Sequence, residues 1–526
     1  MSLRSVVLRD EKHTGVLLST KDVDAGAQLV AGSTSALDPD EALKIRRKID
    51  RHIMPLMCGD IQAMDKTTLG SAAILGIQQA THLTTNELGT VFYLGFFVFE
   101  YPQNLALQRF PVGKWMSINI FVWAIALACH AACKSFTGLV VVRFLLGACE
   151  GSVTAGFLIV SSMFYTRTEQ TLRVGYWFLM IGTGQIISGF ISFGTLHMNT
   201  KGFEPWQWSD IYLCYSIFSI DRRLMIITGV MTLIIAVSFW LFFPDSPTNA
   251  WFLTPNERVK AVQRIKALQE NQTGVENKHF KTEQMVEALT DPKTWLFALF
   301  SALINVVNSL TIQQSLIIAS FGFTDVQTTL LSCVIGVVFI LAIFTAIRLA
   351  TRWPNSRAYI GAISFIPAWS GILLVNLLPW SDRAGLLVGQ YMIAISVASF
   401  ALALSWLNNV TAGHTKRIVT NAIMLSSSCI GNLAGPFLWK AQYKPRYHIP
   451  WAVIGACTIT CSILLLVIRV VLARENRIRD TEHLDVIEEE YIIERITEDG
   501  RRVEVKVEKG FLDLTDRVNR DFRYVL

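Results

Sequence analysis

The sequence predicts an all-α membrane protein: twelve transmembrane helices in two six-helix pseudo-repeat halves. Three observations carry this. The 526-residue chain is 52% hydrophobic and only 17% charged, with a mean hydropathy of +0.41; soluble domains carry about 25% charged residues. Its apolar residues recur in runs of about 20, the length that crosses a hydrocarbon core as a helix. The runs divide six and six about a polar stretch, and one loop motif appears in both sets.

In chain order, residues 1–51 are a polar tail ending in the basic cluster Lys44, Arg46, Arg47, Lys48 and Arg51. No apolar core precedes a small-residue cleavage site, so no leader peptide is expected. The N-terminal half, 52–243, holds apolar runs near 53–77, 88–107, 115–133, 137–164, 174–197 and 224–243. A polar linker, 244–293, contains an amphipathic helix candidate at 255–269, with Val259, Val262, Ile265 and Leu268 on one side. The C-terminal half, 294–472, holds runs near 294–319, 328–350, 358–378, 385–408, 418–439 and 450–472. A charged tail, 473–526, closes the chain. Within it, 494–510 alternates around Asp499-Gly500, a hairpin signal. A lone hairpin is marginal, so a tail without fixed structure is the other reading.

Lys and Arg in the loops set the orientation. Arg109, Lys114, Arg167, Arg173, Arg264, Arg352, Arg357, Lys416 and Arg417 fall on the side of the N-terminus; Lys134, Lys201, Arg383 and the group at 440–446 fall opposite. Both termini are therefore expected in the cytoplasm, and the sequons at Asn271 and Asn409 would face the cytosol. The net charge of +6 resides in short loops between apolar runs, which argues against a nucleic-acid partner. The nine cysteines are scattered, mostly inside apolar runs, with no metal-ligand spacing. They read as reduced packing residues, and neither metal nor cofactor is expected.

The loop after the second span reads Arg109-Phe-Pro-Val-Gly-Lys114, and the loop after the eighth reads Arg352-Trp-Pro-Asn-Ser-Arg357. Two copies of basic–aromatic–Pro–x–x–basic at equivalent positions indicate duplicated halves, a common transporter plan. Within the spans, 140–151 places Arg143 and Glu150 seven residues apart on one face of the fourth helix, about 10 Å along its axis. A lone charge at membrane depth costs at least a few kcal/mol, so such residues usually face a watered cavity or a partner.

At this level of detail the chain resembles the major facilitator superfamily and, more narrowly, the fungal allantoate permease-like family of anion:cation symporters. The matching segments include 63–76 (AMDKTTLGSAAILG), 107–114 (LQRFPVGK), 141–151 (VVRFLLGACEG), 242–258 (FFPDSPTNAWFLTPNER), 412–417 (AGHTKR) and 514–526 (LTDRVNRDFRYVL). The resemblance runs from about Asp50 to the end. Gln108 departs from it, standing where the superfamily's gate motif often has an acidic residue. It implies import of a small organic anion with protons, the anion being a ureide or vitamin carboxylate such as allantoate, nicotinate or pantothenate. It also implies a multi-pass protein of the plasma membrane, monomeric in the bilayer. Residue by residue, it places Asp65 and Lys66 where more distant organic-anion symporters carry an acidic–basic pair. Arg143 and Glu150 fall where those relatives have an Arg and a proton-carrying carboxylate.

The chemistry agrees with that assignment. Arg143 offers a permanently charged planar fork for a carboxylate, with Lys66 as a second cation. Glu150 and Asp65 are the proton-coupling candidates, since a desolvated carboxyl takes up protons more readily. Asn305, Asn308 and Gln313, with Gln314, put an unusual amide cluster in the seventh span; Asn421, Asn432 and Gln390 are further lining candidates. Arg109, Lys114, Glu100, Arg352 and Arg357 are the gating candidates. Blander readings stand beside these. Arg143 and Glu150 also fit an interhelical salt bridge, Asp65–Lys66 a structural pair, and the amides ordinary helix–helix hydrogen bonds. The glycines of the fifth span, among them Gly175, Gly182 and Gly189, read as close helix packing.

Some stretches depart from the family pattern. Residues 209–223 intervene between Trp208 and the sixth span, as a retained intron or an extracellular loop would. The first span is shortened near Asp60, and so is 86–93 before the second. A faulty gene model with an inactive product is thus one alternative; a proton-driven exporter and a nutrient sensor built on a transporter fold are others. A membrane-embedded enzyme is excluded for want of paired His/acid or Ser/His/Asp sets in the spans.

Overall fold

A computed structural model of the chain describes residues 15–18, 38–59, 85–130, 136–196, 224–267, 279–443, 446–482, 490–496, 502–507 and 513–526. Asp65 and Lys66, the shortened first span, segment 209–223 and the Asp499-Gly500 turn lie outside the described residues.

The apolar runs form the expected helices. In the N-terminal half these are α2 (Thr85–Arg109), α3 (Val112–His130), α4 (Phe136–Phe164), α5 (Arg167–Leu196) and α6 (Leu224–Phe242), preceded by α1 (Pro39–Gly59). The linker forms α7 (Pro255–Ala267) and α8 (Thr282–Thr290). The C-terminal half has α9 (Pro292–Ser320), α10 (Asp325–Arg352), α11 (Arg357–Ile363), α12 (Phe365–Leu377), α13 (Arg383–Ala394), α14 (Val397–Val410), α15 (His414–Ala434) and α16 (His448–Glu482). The ninth expected span is the pair α11–α12 and the tenth is α13–α14. Pro367 accounts for the first break, because it has no N–H for the Ile363 carbonyl and its ring crowds that turn. Among the described residues, eight helical stretches are long and apolar enough to cross a membrane.

Local chemistry sets several helix starts. Asp291 caps α9, accepting from the Lys293 N–H, with Pro292 in the first turn. Thr324 and Gln327 form a reciprocal capping box on α10. The halves meet where α5 packs on α10 and α2 on α15. A Cβ on Gly182 would come within 2.5 Å of the Gly336 carbonyl oxygen, and one on Gly336 within 2.6 Å of Gly182 O. Backbone therefore touches backbone across the halves, the close packing expected of the fifth span.

One face of the bundle gathers α1, the linker helices and the C-terminal segment; we call it the terminal face. Helix α1 runs unbroken through Arg51, burying Ile45, Ile49, Ile53 and Met57 at four-residue spacing. Its polar side pairs outward: Asp50 with Arg173 at 2.7 Å, Lys48 with Glu257 at 2.7 Å, and Glu41 with Lys260 at 2.6 Å. The amphipathic linker helix forms as α7, with Val262 and Ile265 buried. The charged tail carries a hairpin, β2 (Glu490–Ile496) antiparallel to β3 (Arg502–Val507), with Tyr491 opposite Val507. Strand β1 (Gly15–Leu18) adds to it in parallel, Gly15 opposite Glu490, a pairing the sequence did not announce. Those three strands stand outside the helical bundle's pattern, and neither reading of the tail included the third.

Candidate functional site

Between the halves lies a cavity of about 230 Å³, and its two walls differ in chemistry. The N-terminal half contributes aromatic rings, among them Tyr93, Phe96, Phe157, Trp177 and Phe178, together with Glu150. Trp177 stacks on Phe178 at 4.3 Å between centroids, and Phe157 meets Trp177 edge-on at 5.6 Å. The C-terminal half contributes Asn305, Asn308, Gln314, Gln390, Ser428 and Asn432. Among the described lining residues, Glu150 is the one acidic or basic side chain.

Helix α4 positions Glu150 by close approach to α2. A Cβ on Gly147 would lie 1.9 Å from Phe92 O, and one on Gly151 would lie 2.6 Å from the Glu100 carboxylate. With no side chains at these positions, α4 lies flat on α2 and Glu150, only 3% exposed, reaches the cavity. Arg143, two turns earlier, is also buried but is not among the lining residues. The pair thus shares a helix, while one member reaches the cavity.

The amide wall is a chain of hydrogen bonds. Asn308 donates to Asn432 Oδ1 at 3.0 Å, Asn432 donates to Asn305 Oδ1 at 2.9 Å, and Asn305 donates to Ser301 O at 2.8 Å. Helix α9 presents Gln314 to the cavity rather than Gln313. Gln314 follows Val307 by seven residues and Leu310 by four, so it stands on their face, whereas Gln313 is turned about 100° away. Gln314 Nε2, Gln390 Oε1 and Trp177 Nε1 are buried without a hydrogen-bond partner.

The five gating candidates separate. Arg357 crosses the halves, donating to Thr171 Oγ1 at 3.0 Å. Lys114 stays inside the N-terminal half, hydrogen-bonded to Trp240 O and 4.6 Å above the Trp240 ring. Glu100 is fully buried, accepts from Asn104 at 2.7 Å and packs against Gly151, also within one half. Arg109 and Arg352 are exposed. The contacts that do close the terminal face had no distinctive signal. Thr171 also receives Ser405 at 3.0 Å and Asn409 at 3.4 Å; Asn408 donates to Leu158 O at 3.3 Å, and Gln108 to Thr415 at 3.0 Å. A threonine near the start of a helix is too ordinary to single out. Gln108 was visible as a departure, and here its uncharged amide bridges the halves.

Two helical halves around a largely apolar cavity that carries one carboxyl and a set of amides have the architecture of a membrane transporter. The Major Facilitator Superfamily model matches residues 57–436. The chain belongs to that superfamily, and is a secondary transporter rather than an enzyme. It is 33% identical to the thiamine pathway transporter THI73 of Saccharomyces cerevisiae, over 99% of this chain and 93% of the relative. It is 30% identical to the allantoate permease of the same organism, over 93% of this chain and 87% of the relative. Among solved structures, the proton:xylose symporter XylE of the same superfamily aligns with a TM-score of 0.60 at 13% identity, covering 82% of this chain and 96% of the other. That likeness speaks for the fold alone.

Proposed function

We propose that the chain imports a small organic anion together with protons by alternating access across the plasma membrane, with the terminal face in the cytoplasm. One observation carries the reading: Glu150, a buried carboxyl on the same helix as the buried Arg143, lines the cavity. Proton uptake at Glu150 and anion binding toward Arg143 cancel, so the loaded site holds no more net charge at membrane depth than the empty one. Lys66 and Asp65 supply the opposing cation and a second carboxyl. The amide wall orients the substrate's polar groups, and the aromatic wall takes its flat or apolar part.

In this cycle 52–243 and 294–472 are the two moving halves and 244–293 is a cytosolic linker. Arg357 on Thr171 and Gln108 on Thr415 hold the cytoplasmic side shut. Ureides and vitamin carboxylates remain the favoured substrates, since a relative is named for allantoate. The test is uptake of radiolabelled allantoate, nicotinate and pantothenate by cells expressing the chain, with and without a protonophore. Uptake that collapses with the protonophore is expected; uptake indifferent to it would replace symport with facilitated diffusion.

A further inference from the structure

Residues 513–526 form a strap fixed across the terminal face. Its anchor is Asp516, which is fully buried. Asp516 pairs with Lys293 at the start of α9 and with Lys416 of α15 at 3.0 Å. It also accepts from Ala412 N at 3.1 Å and from the Tyr524 hydroxyl at 2.6 Å. Arg479 of α16, 1% exposed, donates to Phe522 O at 2.8 Å and to the Tyr524 hydroxyl at 3.0 Å. Trp406 of α14 donates to Val525 O at 2.7 Å. These anchors sit on or beside helices α9, α14, α15 and α16, whose bodies make up the C-terminal half.

Toward the N-terminal half the strap presents Phe522 and the Arg523 carbonyl. Arg167, at the start of α5, places its guanidinium 4.2 Å above the Phe522 ring and donates to Arg523 O at 3.0 Å. The strap is thus bound to one half by a buried ion cluster and to the other by a cation–π contact and a charge-assisted hydrogen bond.

We propose that Arg167 and Phe522–Arg523 are a latch of the transport cycle: the strap moves with the C-terminal half, and the terminal face opens only when Arg167 lets go. A contact made in one state and broken in the other biases the equilibrium between them by its own free energy. The latch therefore holds the terminal face closed, and weakening it populates the open state. The inference rests on the alternating-access reading and is indifferent to the substrate.

The test uses the full-length chain with its native cysteines replaced and Ser428→Cys as a reporter in the cavity wall. A membrane-impermeant maleimide is added to sealed vesicles with the terminal face outward. Arg167→Ala and Phe522→Leu, which touch opposite sides of the contact, are each expected to speed labelling by about tenfold and to slow labelling from the opposite face. Arg167→Lys, which keeps the charge and loses the planar fork, falls between. Deleting 513–526 would uncover Lys293 and Lys416 and confound folding, so point variants with unchanged thermal stability decide. Labelling rates unchanged from both faces in both variants would overturn the latch. Absence of terminal-face labelling in every variant and in the parent would remove alternating access, and the latch with it.

Discussion

The cavity and the terminal face are both rich in buried polar groups, but they differ in how charge is paired. On the terminal face buried charges are paired: Lys416 has Glu287 at 2.7 Å, Asp291 at 2.8 Å and Asp516, and Arg264 has Glu169 at 3.1 Å and the Phe164 carbonyl at 2.7 Å, although Arg264 Nε and Arg357 Nη1 there have no hydrogen-bond partner. In the cavity, Trp177 Nε1, Gln314 Nε2 and Gln390 Oε1 have no protein partner. A buried polar atom left unmatched costs about 1–3 kcal/mol. In the cavity such atoms are tolerable where a ligand completes them. The dense ion pairing of the terminal face suits closure, and the uncharged amides beside Glu150 suit binding, although both sets are buried and polar.

The sharpest way to break that division is Glu150→Gln. If Glu150 is the coupling carboxyl, the variant loses uphill uptake altogether: each pH unit of gradient supports about tenfold accumulation per proton, and the ratio falls to unity while substrate exchange persists. Accumulation unchanged in the variant would make Glu150 structural, like the terminal-face charges. Next come the amides, where the two behaviours meet on one wall. Asn432→Ala removes a donor to Asn305 and an acceptor for Asn308, and should destabilise the purified chain by about 1–3 kcal/mol. Gln314→Met removes an orphan donor, and should leave stability within about 0.5 kcal/mol while impairing uptake. Thermal unfolding in detergent beside uptake by cells reads both. Equal stability losses would erase the distinction between a completed network and an open one.

How far these roles were legible in the sequence depends on the physics that creates them. Helix positions follow from apolar run length, and Glu150 was conspicuous because a charge at membrane depth is costly. Asn305 and Asn308 were conspicuous as amides in an apolar run. Gln313 was preferred over its neighbour because composition marks a cluster but not its face; a 100° step per residue decides between 313 and 314, and only packing sets the origin of that angle. Thr171 and the Arg167–Phe522 contact join residues hundreds of positions apart with unremarkable local sequence. Helix α1 is half legible: its four-residue stripe at Ile45, Ile49, Ile53 and Met57 is present in the chain, but the basic cluster set within it has the composition of a polar tail.

Thr171 gives a smaller effect than the amides. Thr171→Val keeps the shape and removes the oxygen that accepts from Arg357 and Ser405, so closure of the terminal face should weaken by about 1–2 kcal/mol. Thr171→Ser, which restores the oxygen, should recover it. Labelling of the cavity reporter from the terminal face reads both; a valine variant indistinguishable from the parent would remove Thr171 from the closure.

The smallest expected effect is a null one. Burial works against the charge on Asp516, but Lys293 and Lys416, with hydrogen bonds from Lys293 and Tyr524, outweigh it and hold the carboxyl well below the usual carboxylate range. A depressed folded-state value adds stability that is complete above the unfolded value of about 3.9 and is lost only as pH falls through the folded value. Asp516 therefore adds no pH dependence of its own to strap docking between pH 7.5 and pH 5, while proton-coupled uptake should rise as the pH outside the cell falls. His414, whose backbone N–H bonds Asp513 at 2.7 Å, is the neighbouring group whose ordinary titration falls in that range. In a His414→Gln background, hydrogen exchange of 513–526, corrected for its intrinsic pH dependence, should therefore be flat over that window. If exchange there accelerates toward pH 5, the terminal face titrates with the cavity, and the two regions are not the separate devices their partners suggest.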